Sequence, residues 1–593
     1  MITNEIPVHN LEYDFCVVGG GMAGICAAVA AARHGAKTVL VQDRPVLGGN
    51  ASSEIRMWIC GAGGKDLKET GILEEIQLEN IRFNPAVQYN IWDHLLMTFV
   101  QKQENLKLML NCTCTDVATE DNRISSIIAW QTTTQKRFEI KAKYFADCSG
   151  DSILRFSGAE FRCGREAKDE FDESYAPDVE DKLTMGNSIL IQTREVAYDR
   201  PFEVPPWAHA FEEKGFHRVL NPRDNFWWLE YGGELNTIDD AEEIRDELIR
   251  IAYGVWNLVK NGKKKLAKNI DLEWIGALPG KRENIRYVGD HILVQKDVEA
   301  QGRFDDIVAY GGWPFDAHEP AAFYYKGAPT TFHSTPNPFG IPFRCLYSKN
   351  IENLYFAGRN ISCSHMAMST TRVMATCSIE GQAIGTAAAM GVKYDLTPRG
   401  IYEQKIAELQ QTLMDDDCYI PWHSRNVSDL TKNARLQAES EGNVELLRNG
   451  IDRNIQGEIQ YFAATPGSYI EYHFDKPEKV NEIRIVFDSD LTHHHWPLLD
   501  GRIPTQNTGI KRMACHYPEN GYVNEMPEEL VKEYAVEIQT GGPNSPWQEL
   551  VYEEDNFKRL VRIPVGQKVT AIRLIPEVTW GAEKARIYSF DMN

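Results

Sequence analysis

The chain lacks the features that mark several classes of protein. Its 593 residues include 12 cysteines but no C-x-x-C pair, which disfavours iron–sulfur clusters and structural zinc, so we expect no bound metal. The most apolar stretch, around residues 374–392, is interrupted by Glu380 and Gln382 and is no membrane span. The first residues lack the basic and apolar regions of a signal peptide. These absences predict a protein of the reducing cytoplasm with no membrane partner.

Positive charge is also scarce. The chain has 63 Lys and Arg residues against 85 Asp and Glu residues, a formal net charge of −22, which disfavours nucleic acid as a partner. Hydrophobic residues make up 43% and charged residues 25%, as in an ordinary globular protein long enough for several domains. We expect a small-molecule substrate, and the composition leaves homo-oligomerisation open.

The most informative stretch lies near the start of the chain. Residues 13–18 are an apolar run rich in aromatic and β-branched side chains, which predicts a buried strand. Residues 19–24 then read G-x-G-x-x-G and lead into an alanine-rich helix that ends near Arg33. A second buried strand is predicted at 37–41. A glycine-rich turn between a strand and a helix, with a second strand at this distance, predicts a dinucleotide-binding site.

Each glycine of the turn has a physical task. Gly19 permits the tight turn, Gly21 lets main-chain N–H groups approach a pyrophosphate, and Gly24 lets the helix lie close to the sheet. An acidic residue usually ends the second strand and binds the ribose, but this position is Gln42, with Asp43 next to it. Either residue could bind the ribose.

The following segments extend this pattern. A second glycine turn, at Gly48 and Gly49, is more typical of FAD proteins than of NAD proteins. We predict a helix at 67–82, a strand at 105–117 and a small antiparallel layer at 123–145.

The middle of the chain is rich in aromatic residues. It contains a predicted helix at 239–260 and a section dense in Trp, His and Pro from Gly311 to Pro342. This section could line a polar substrate pocket or could be a solvated loop packed by aromatic rings; the candidate pocket residues are Trp313, Asp316, His318, His333 and Arg344.

The last third contains two kinds of pattern. Residues 353–392 predict a strand, a polar turn and one long helix of small residues, and a further helix is predicted at about 400–414. Residues 433–450 resemble a linker, after which short alternating segments predict an antiparallel β-sandwich. Three histidines and a tryptophan at 493–496 lie in a predicted long loop.

Four motifs together resemble those of the FAD-dependent oxidoreductase family of the glutathione-reductase-like, two-dinucleotide-fold type. They read VVGGGMAG, QDRPVLGGNASSEIR, FADCSGDSILRFSGAEF and NLYFAGRNISCSHMAMSTTRVMATCSIEGQAIGTAAA. The resemblance covers about residues 11–395 and is strongest to large bacterial flavoproteins often found with carbohydrate-degrading enzymes. The C-terminal part resembles a discoidin-like or carbohydrate-binding jelly roll.

The resemblance implies an α/β architecture with FAD as the cofactor. A Rossmann-like FAD-binding domain would comprise 1–150 and 341–432, with an inserted α+β substrate domain at 151–340 and an all-β jelly-roll or sandwich domain at 440–593. The FAD-binding residues that we expect are Gly19, Gly21, Met22, Ala23, Gly24, Gln42, Asp43, Arg44, Gly48, Gly49, Asn50, Ser52, Val117, Gly358 and Arg359.

The family imposes no universal catalytic residue, so the candidates rest on chemistry. Oxidation of an alcohol by a flavin requires removal of a proton, and a neutral histidine suits that task. His365 is the first choice, because it lies in the polar turn before the small-residue helix, and Arg372 follows about two turns later. His318 and His333 are further candidates, and a histidine that only hydrogen-bonds the main chain is the alternative for His365.

Three functions remain open at this point. The leading one is oxidation of a hydroxyl of a sugar, glycoside or polyol by hydride transfer to FAD. A second is reduction or dehydrogenation of an unsaturated or hydroxy acid, for which Arg56, Arg344 and Arg372 could form a carboxylate clamp. A third is carbohydrate binding by a protein that keeps FAD for structural reasons.

Overall fold

A computed structural model describes residues 6–492, 513, 516–517, 524–542 and 544–593. The chain forms two compact units; the first comprises Met1–Ala62, Ala86–Leu409 and Gln506–Val523, and the second comprises Gly63–Pro85, Gln410–Thr505 and Asn524–Asn593. The predicted loop at 493–496 lies outside the described residues. Among the described residues, no helix combines the length and apolar character needed to cross a membrane.

The N-terminal third forms most of a central sheet. Its strands are β1 (Val8–Val18), β2 (Thr38–Val41), β3 (Leu106–Met109), β4 (Cys112–Glu120), β5 (Arg123–Gln131) and β6 (Lys136–Asp147), and its helices are α1 (Met22–Arg33), α2 (Ile72–Phe83) and α3 (Tyr89–Gln101). The strand order is β3-β2-β1-β6-β5-β4. Strands β3, β2, β1 and β6 are parallel, whereas β4, β5 and β6 are antiparallel, which confirms the predicted small antiparallel layer.

The middle section is built from short strands around one long helix. Its elements are β7 (Phe161–Cys163), α4 (Lys168–Phe171), β8 (Asn187–Ser188), β9 (Ile191–Glu195), β10 (Glu230–Tyr231), α5 (Ala241–Asn261), β11 (Ile270–Ile275), β12 (Ile285–Tyr287), α6 (Gln295–Glu299), β13 (Ile307–Gly311), β14 (Phe315–His318), β15 (Thr330–His333) and β16 (Phe339–Pro342). Helix α5 confirms the helix predicted at 239–260. It buries Leu248, Ile251 and Val255 in a cluster with Trp228, as its apolar stripe requires.

The chain then returns to the central sheet through β17 (Leu354–Phe356), α7 (His365–Thr371), α8 (Met374–Tyr394) and α9 (Pro398–Asp415). Strand β17 pairs in parallel with β6. The one long helix predicted after it is wrong, because the chain breaks at Val373, which is extended and precedes α8. Helix α8 is rich in small residues because it touches α1 backbone to backbone: a side-chain carbon at Gly381 or Gly385 would lie 2.1 Å from an α1 carbonyl oxygen.

The second unit contains an antiparallel sheet. The elements are α10 (Asp429–Asn433), β18 (Arg435–Ala438), β19 (Phe462–Ala464), β20 (Ile470–Phe487), β22 (Val531–Gln539), β23 (Gln548–Glu553), β24 (Leu560–Thr579) and β25 (Ala585–Met592), while β21 (His516–Tyr517) pairs with β9 in the first unit. The order is β19-β25-β20-β24-β22-β23, with β18 on β20, and every pair is antiparallel. The α/β part followed by an all-β part confirms the coarse fold class.

Three segments differ from the domain boundaries that the sequence suggested. The supposed linker at 433–450 is not a free connection, because it contains β18. Residues 63–85 lie in the second unit, because Leu78 and Ile81 of α2 are buried in the core of its sheet. Met513, His516 and Tyr517, the described residues of the segment 506–523, lie in the first unit, which alternation of side chains could not reveal.

Candidate active site

A cavity of about 620 Å³ opens at the carboxyl ends of β1, β2, β6 and β17. Open α/β sheets bind their ligands at this edge, and the volume lies within the usual range for small-molecule sites, about 300–1,000 Å³. All of the residues that line the cavity belong to the first unit. One end of the cavity is formed by the glycine turns, and the other is formed by β14, β15 and their neighbours.

The first glycine turn forms an open main-chain surface at the start of α1. Gly19 has φ +105°, and a side-chain carbon there would lie 2.4 Å from the main chain of Cys148. A side-chain carbon at Gly24 would lie 1.8 Å from the carbonyl oxygen of Gly19, so α1 must start against the turn. At Gly21, by contrast, the nearest such contact is Gly49 Cα at 4.0 Å. The N-terminal main chain of α1 is therefore open to an anionic ligand.

The side chain of Gln42 is occupied by the turn itself. Its Oε1 accepts a hydrogen bond from the Gly20 N–H at 2.7 Å, and its Nε2 donates to the Val46 carbonyl at 3.1 Å. Asp43 also lines the cavity and keeps a half-exposed carboxylate, with the Arg44 guanidinium 3.7 Å away. The geometry therefore favours Asp43 over Gln42 as the group free to bind a ribose.

The second glycine turn lies directly beside the first. The Gly48 N–H donates to the Gly20 carbonyl at 2.8 Å, and Gly48 and Gly49 both line the cavity. Asn50 also lines it, and its Nδ2 donates to the main-chain carbonyl of Lys281 at 3.0 Å. This bond joins the second turn to a strand-connecting segment more than 200 residues away.

Other expected cofactor residues divide into two groups. Met22 and Ala23 line the cavity, as expected. Ser52 is buried and Val117 lies further along β4, and neither lines the cavity. On β4 the cavity is lined by residues 112–114 instead, because only the first residues of that strand reach the carboxyl ends of β1 and β2.

Asp151 also lines the cavity and accepts hydrogen bonds from three donors. Arg359 donates to it at 2.9 Å, Lys281 at 2.8 Å and Asn284 at 2.8 Å. Burial opposes ionisation of Asp151, but the charges of Arg359 and Lys281 outweigh it and hold its pKa below the ordinary value. Gly358 also lines the cavity, and a side-chain carbon there would find nothing closer than 3.7 Å.

This half of the cavity fits FAD. The main chain at Gly19–Ala23 and the Arg359 guanidinium would hold the pyrophosphate, since both are donors that line the cavity and the space at Gly21 is open. Asp43 would hold the ribose, and Gly49 and Asn50 would lie on the flavin side.

The hairpin of β14 and β15 supplies the other end of the cavity. Asp316 lies directly opposite Phe332, and His318 lies directly opposite Thr330. Opposed residues of an antiparallel pair share a face, as do alternate residues of one strand. Asp316, His318 and Phe332 accordingly line the cavity together.

His333 lies on the other face of this hairpin, because it is opposite Phe315 and one residue away from Phe332. Its ring stacks on Tyr175 with centroids 3.7 Å apart. It does not line the cavity, so the structure does not bring it together with His318.

The polar cluster around His318 joins two ion pairs. His318 Nδ1 lies 2.6 Å from Glu230 Oε2, and its Nε2 lies 3.3 Å from Asp316 Oδ1. Arg372 donates to Asp316 Oδ2 at 2.9 Å, and Arg282 lies 3.4 Å from Glu230. Burial opposes ionisation of both carboxyls. His318 and Arg372 nevertheless hold the pKa of Asp316 well below its ordinary value, and Arg282 and His318 lower the pKa of Glu230.

His365, the first sequence candidate, lies outside the cavity lining. Its Nδ1 lies 2.9 Å from Glu283 Oε1, and its main-chain N–H donates to Glu166 Oε2 at 2.8 Å. The two ends of helix α7 lie in different surroundings. His365, its first residue, belongs to a buried ionic network, whereas Arg372, which follows its last residue, reaches the cavity. The geometry favours a structural role for His365.

Residues 14–413 match the model of the family described as FAD dependent oxidoreductase. The chain belongs to this family. It is therefore an FAD-dependent oxidoreductase.

Individual relatives of this oxidoreductase are distant. The tRNA uridine 5-carboxymethylaminomethyl modification enzyme MnmG of Sulfurihydrogenibium sp. (strain YO3AOP1) is 28% identical over 188 residues, 27% of this chain and 28% of that enzyme. The chain thus spans little more than a quarter of that relative. Among solved structures, a geranylgeranyl bacteriochlorophyll reductase-like protein from Thermoplasma acidophilum has a TM-score of 0.32 at 12% identity, covering 69% of this chain and 85% of the other.

The C-terminal part has its own structural neighbours. The family 32 carbohydrate-binding module from Streptococcus pneumoniae EndoD has a TM-score of 0.20 at 13% identity, covering 28% of this chain and 99% of that module. A similarity this low indicates no ligand for the oxidoreductase.

Several residues around the cavity that were not among the predicted site residues have recognisable signals in the sequence. Glu230 is the one charged residue in the aromatic run FWWLEY, and such a charge in a buried stretch often serves a site. Lys281 and Arg282 follow a Pro-Gly turn in the charged run KREN. Trp227 also lines the cavity, with its ring centroid 5.8 Å from that of His318.

Proposed function

We propose that this FAD-dependent oxidoreductase oxidises a hydroxyl group of a neutral sugar, glycoside or polyol. FAD, when bound, would supply the acceptor for the hydride that leaves the carbon carrying the hydroxyl. The observation that carries the proposal is a charge-balanced polar cluster. Arg282, Asp316, His318 and Arg372 line the same cavity as the FAD-binding turns, and the buried Glu230 pairs with Arg282 and His318.

The balance of charge in this cluster favours a neutral substrate. Arg282 is opposed by Glu230 and Arg372 by Asp316, so each guanidinium already has a carboxylate partner. A substrate carboxylate placed here would lie beside two buried anions and would be repelled. Hydroxyl groups can both donate to carboxylates and accept from guanidinium groups, so they suit the cluster.

Of the three arginines expected to form a carboxylate clamp for an acid substrate, two lie outside the cavity lining. Arg56 lies outside the cavity lining, between the rings of Tyr89 and Trp274 at 4.9 and 4.4 Å. Arg344 is also outside it and forms a two-pronged pair with Asp306. Only Arg372 of the three expected arginines reaches the cavity, and it is paired.

His318 is the group best placed to take the hydroxyl proton. A carboxylate can only accept hydrogen bonds, and Glu230 lies closer to His318 than Asp316 does, at 2.6 Å against 3.3 Å. Hydrogen is therefore favoured on Nδ1, and Nε2 is the nitrogen that accepts a proton. Proton transfer to Nε2 would create an imidazolium between Glu230 and Asp316, and both carboxylates would stabilise that charge.

Aromatic side chains in the same region suit a sugar ring. Trp227 and Trp313 line the cavity, and the Trp313 indole N–H points to Asp316 Oδ2 at 3.4 Å. Indole faces stack on the C–H face of a pyranose, while the polar cluster binds its hydroxyls.

An anaerobic titration of the FAD-loaded protein tests the proposal. Neutral sugars such as glucose and galactose are compared with the matched acids glucuronate and galacturonate, and flavin absorbance is followed after each addition. We expect bleaching by a neutral sugar and none by its acid. Bleaching by acids alone would overturn the proposal, and glycan binding without bleaching would favour a structural FAD.

A further inference from the structure

We infer that the natural substrate of this site contains at least two rings, the outer of which stacks on Phe332 at the cavity mouth. This inference rests on the proposed function and adds the size of the substrate to it.

Phe332 differs in exposure from the residues with which it shares the hairpin face. Its side chain is 52% exposed although it lines the cavity, whereas Asp316 and His318 are each 6% exposed. The cavity face of the hairpin is therefore buried along β14, at Asp316 and His318, and open on β15, at Phe332. Among the described residues, no aromatic ring stacks on Phe332, in contrast to His333 on the opposite face, which stacks on Tyr175.

The register of the hairpin sets the distance between His318 and Phe332. Phe332 and Asp316 form one cross-strand pair, and Thr330 and His318 form the other pair two residues along. Two residues of an antiparallel strand span about 6.8 Å. This spacing is of the same order as that between successive rings of a disaccharide, so one ring at His318 would place the next ring near Phe332.

The chemistry at the mouth suits a sugar ring as the occupant. A phenyl face contacts the apolar face of a pyranose, and Asp316, directly opposite, accepts hydrogen bonds from its hydroxyls. The carboxylate of Asp316 disfavours an acidic outer ring. A favourable aromatic contact of this kind changes affinity by about tenfold.

Steady-state kinetics with neutral disaccharides and their component monosaccharides test the inference. Cellobiose, lactose and maltose are compared with glucose and galactose, for the wild type, Phe332→Ala and Phe332→Trp. We expect the wild type to prefer one disaccharide by its kcat/KM. Phe332→Ala should lower that preference about tenfold, mainly through KM, and Phe332→Trp should retain it.

Phe156 provides a matched control, because it is 63% exposed and lies outside the cavity lining. Phe156→Ala should leave the preference unchanged. Two results would overturn this inference but not the proposed function. One is a wild type whose kcat/KM for monosaccharides equals that for disaccharides, and the other is a Phe332→Ala variant with the same preference as the wild type. Absence of oxidation with every neutral sugar would instead overturn the proposed function on which it rests.

Discussion

Replacement of His318 by alanine is the most direct test of the site's chemistry. The change removes the imidazole that lies between Glu230 and Asp316 and leaves the FAD-binding turns untouched. We expect FAD to remain bound and flavin reduction by a substrate to become slow, because no other group at this position can take the hydroxyl proton efficiently.

The size of the effect follows from the neighbours of His318. Loss of a positioned general base slows a reaction by about 10²–10⁴-fold, which corresponds to about 2.7–5.4 kcal/mol of barrier. Asp316 is the nearest alternative acceptor in this variant, but Arg372 still donates to it at 2.9 Å and favours its ionised form, so its carboxylate is a weak base. We therefore expect a loss of at least about 10²-fold.

The assay is anaerobic stopped-flow reduction of bound flavin at saturating substrate, with the flavin content of each variant measured first. His365→Ala is the matched control, since it also removes a buried histidine bonded to a glutamate, but outside the cavity lining. It should reduce flavin at nearly the wild-type rate while losing about 1–3 kcal/mol of stability, because Glu283 loses a buried partner.

The reverse order of effects would refute the reasoning. If His318→Ala reduced flavin at full speed and His365→Ala were the slow variant, the polar cluster at the hairpin would not be the reacting end of the cavity. Equal and large losses in both variants, with FAD still bound, would assign the effect to the fold rather than to proton transfer.

Three further predictions concern neighbouring parts of the site. Glu230→Gln should slow flavin reduction by about 10²-fold or more, because an amide can donate to Nδ1 of His318 and favour the tautomer that cannot accept a proton; an unchanged rate would exclude this role. Gly21→Val should fold but lack FAD in its absorbance spectrum, whereas Gly542→Ala, at a site with open space around it, should stay yellow. Burial raises the pKa of Glu380 in the folded protein well above its ordinary value of 4.5. The contribution of protonated Glu380 to stability is therefore complete below pH 4.5 and is lost as the pH rises towards the raised pKa. The urea midpoint of Glu380→Gln should therefore rise relative to that of the wild type as the pH is increased from 5 to 8. A difference between the two midpoints that does not change with pH would contradict this.

Much of the FAD-binding half could be predicted from the sequence. The order of strand, glycine turn and helix is encoded locally, because only glycine tolerates the close approaches at Gly19 and Gly24. Alternation in β5, β6 and the C-terminal strands likewise identified antiparallel structure. These features depend on neighbours within a few residues, so a single sequence carries enough information to locate them.

The half of the cavity at the β14–β15 hairpin could not be predicted with the same success. His318 and Glu230 are 88 residues apart in sequence, and the pair exists only because β10 and β14 are brought together. Alternation places His318 and His333 on opposite faces of the hairpin only when the pairing of the two strands is known. That register is set by the tertiary structure.

The sequence by itself determined that this chain binds a dinucleotide on a parallel sheet and carries an antiparallel β part, because main-chain geometry and side-chain periodicity are local properties. Only the tertiary structure decided that Gln42 serves the turn, that His365 is buried in an ionic network and that His318 faces the cavity. The physical reason is that hydrogen bonds and burial at these side chains are set by residues far away in the chain, whose positions no local pattern encodes.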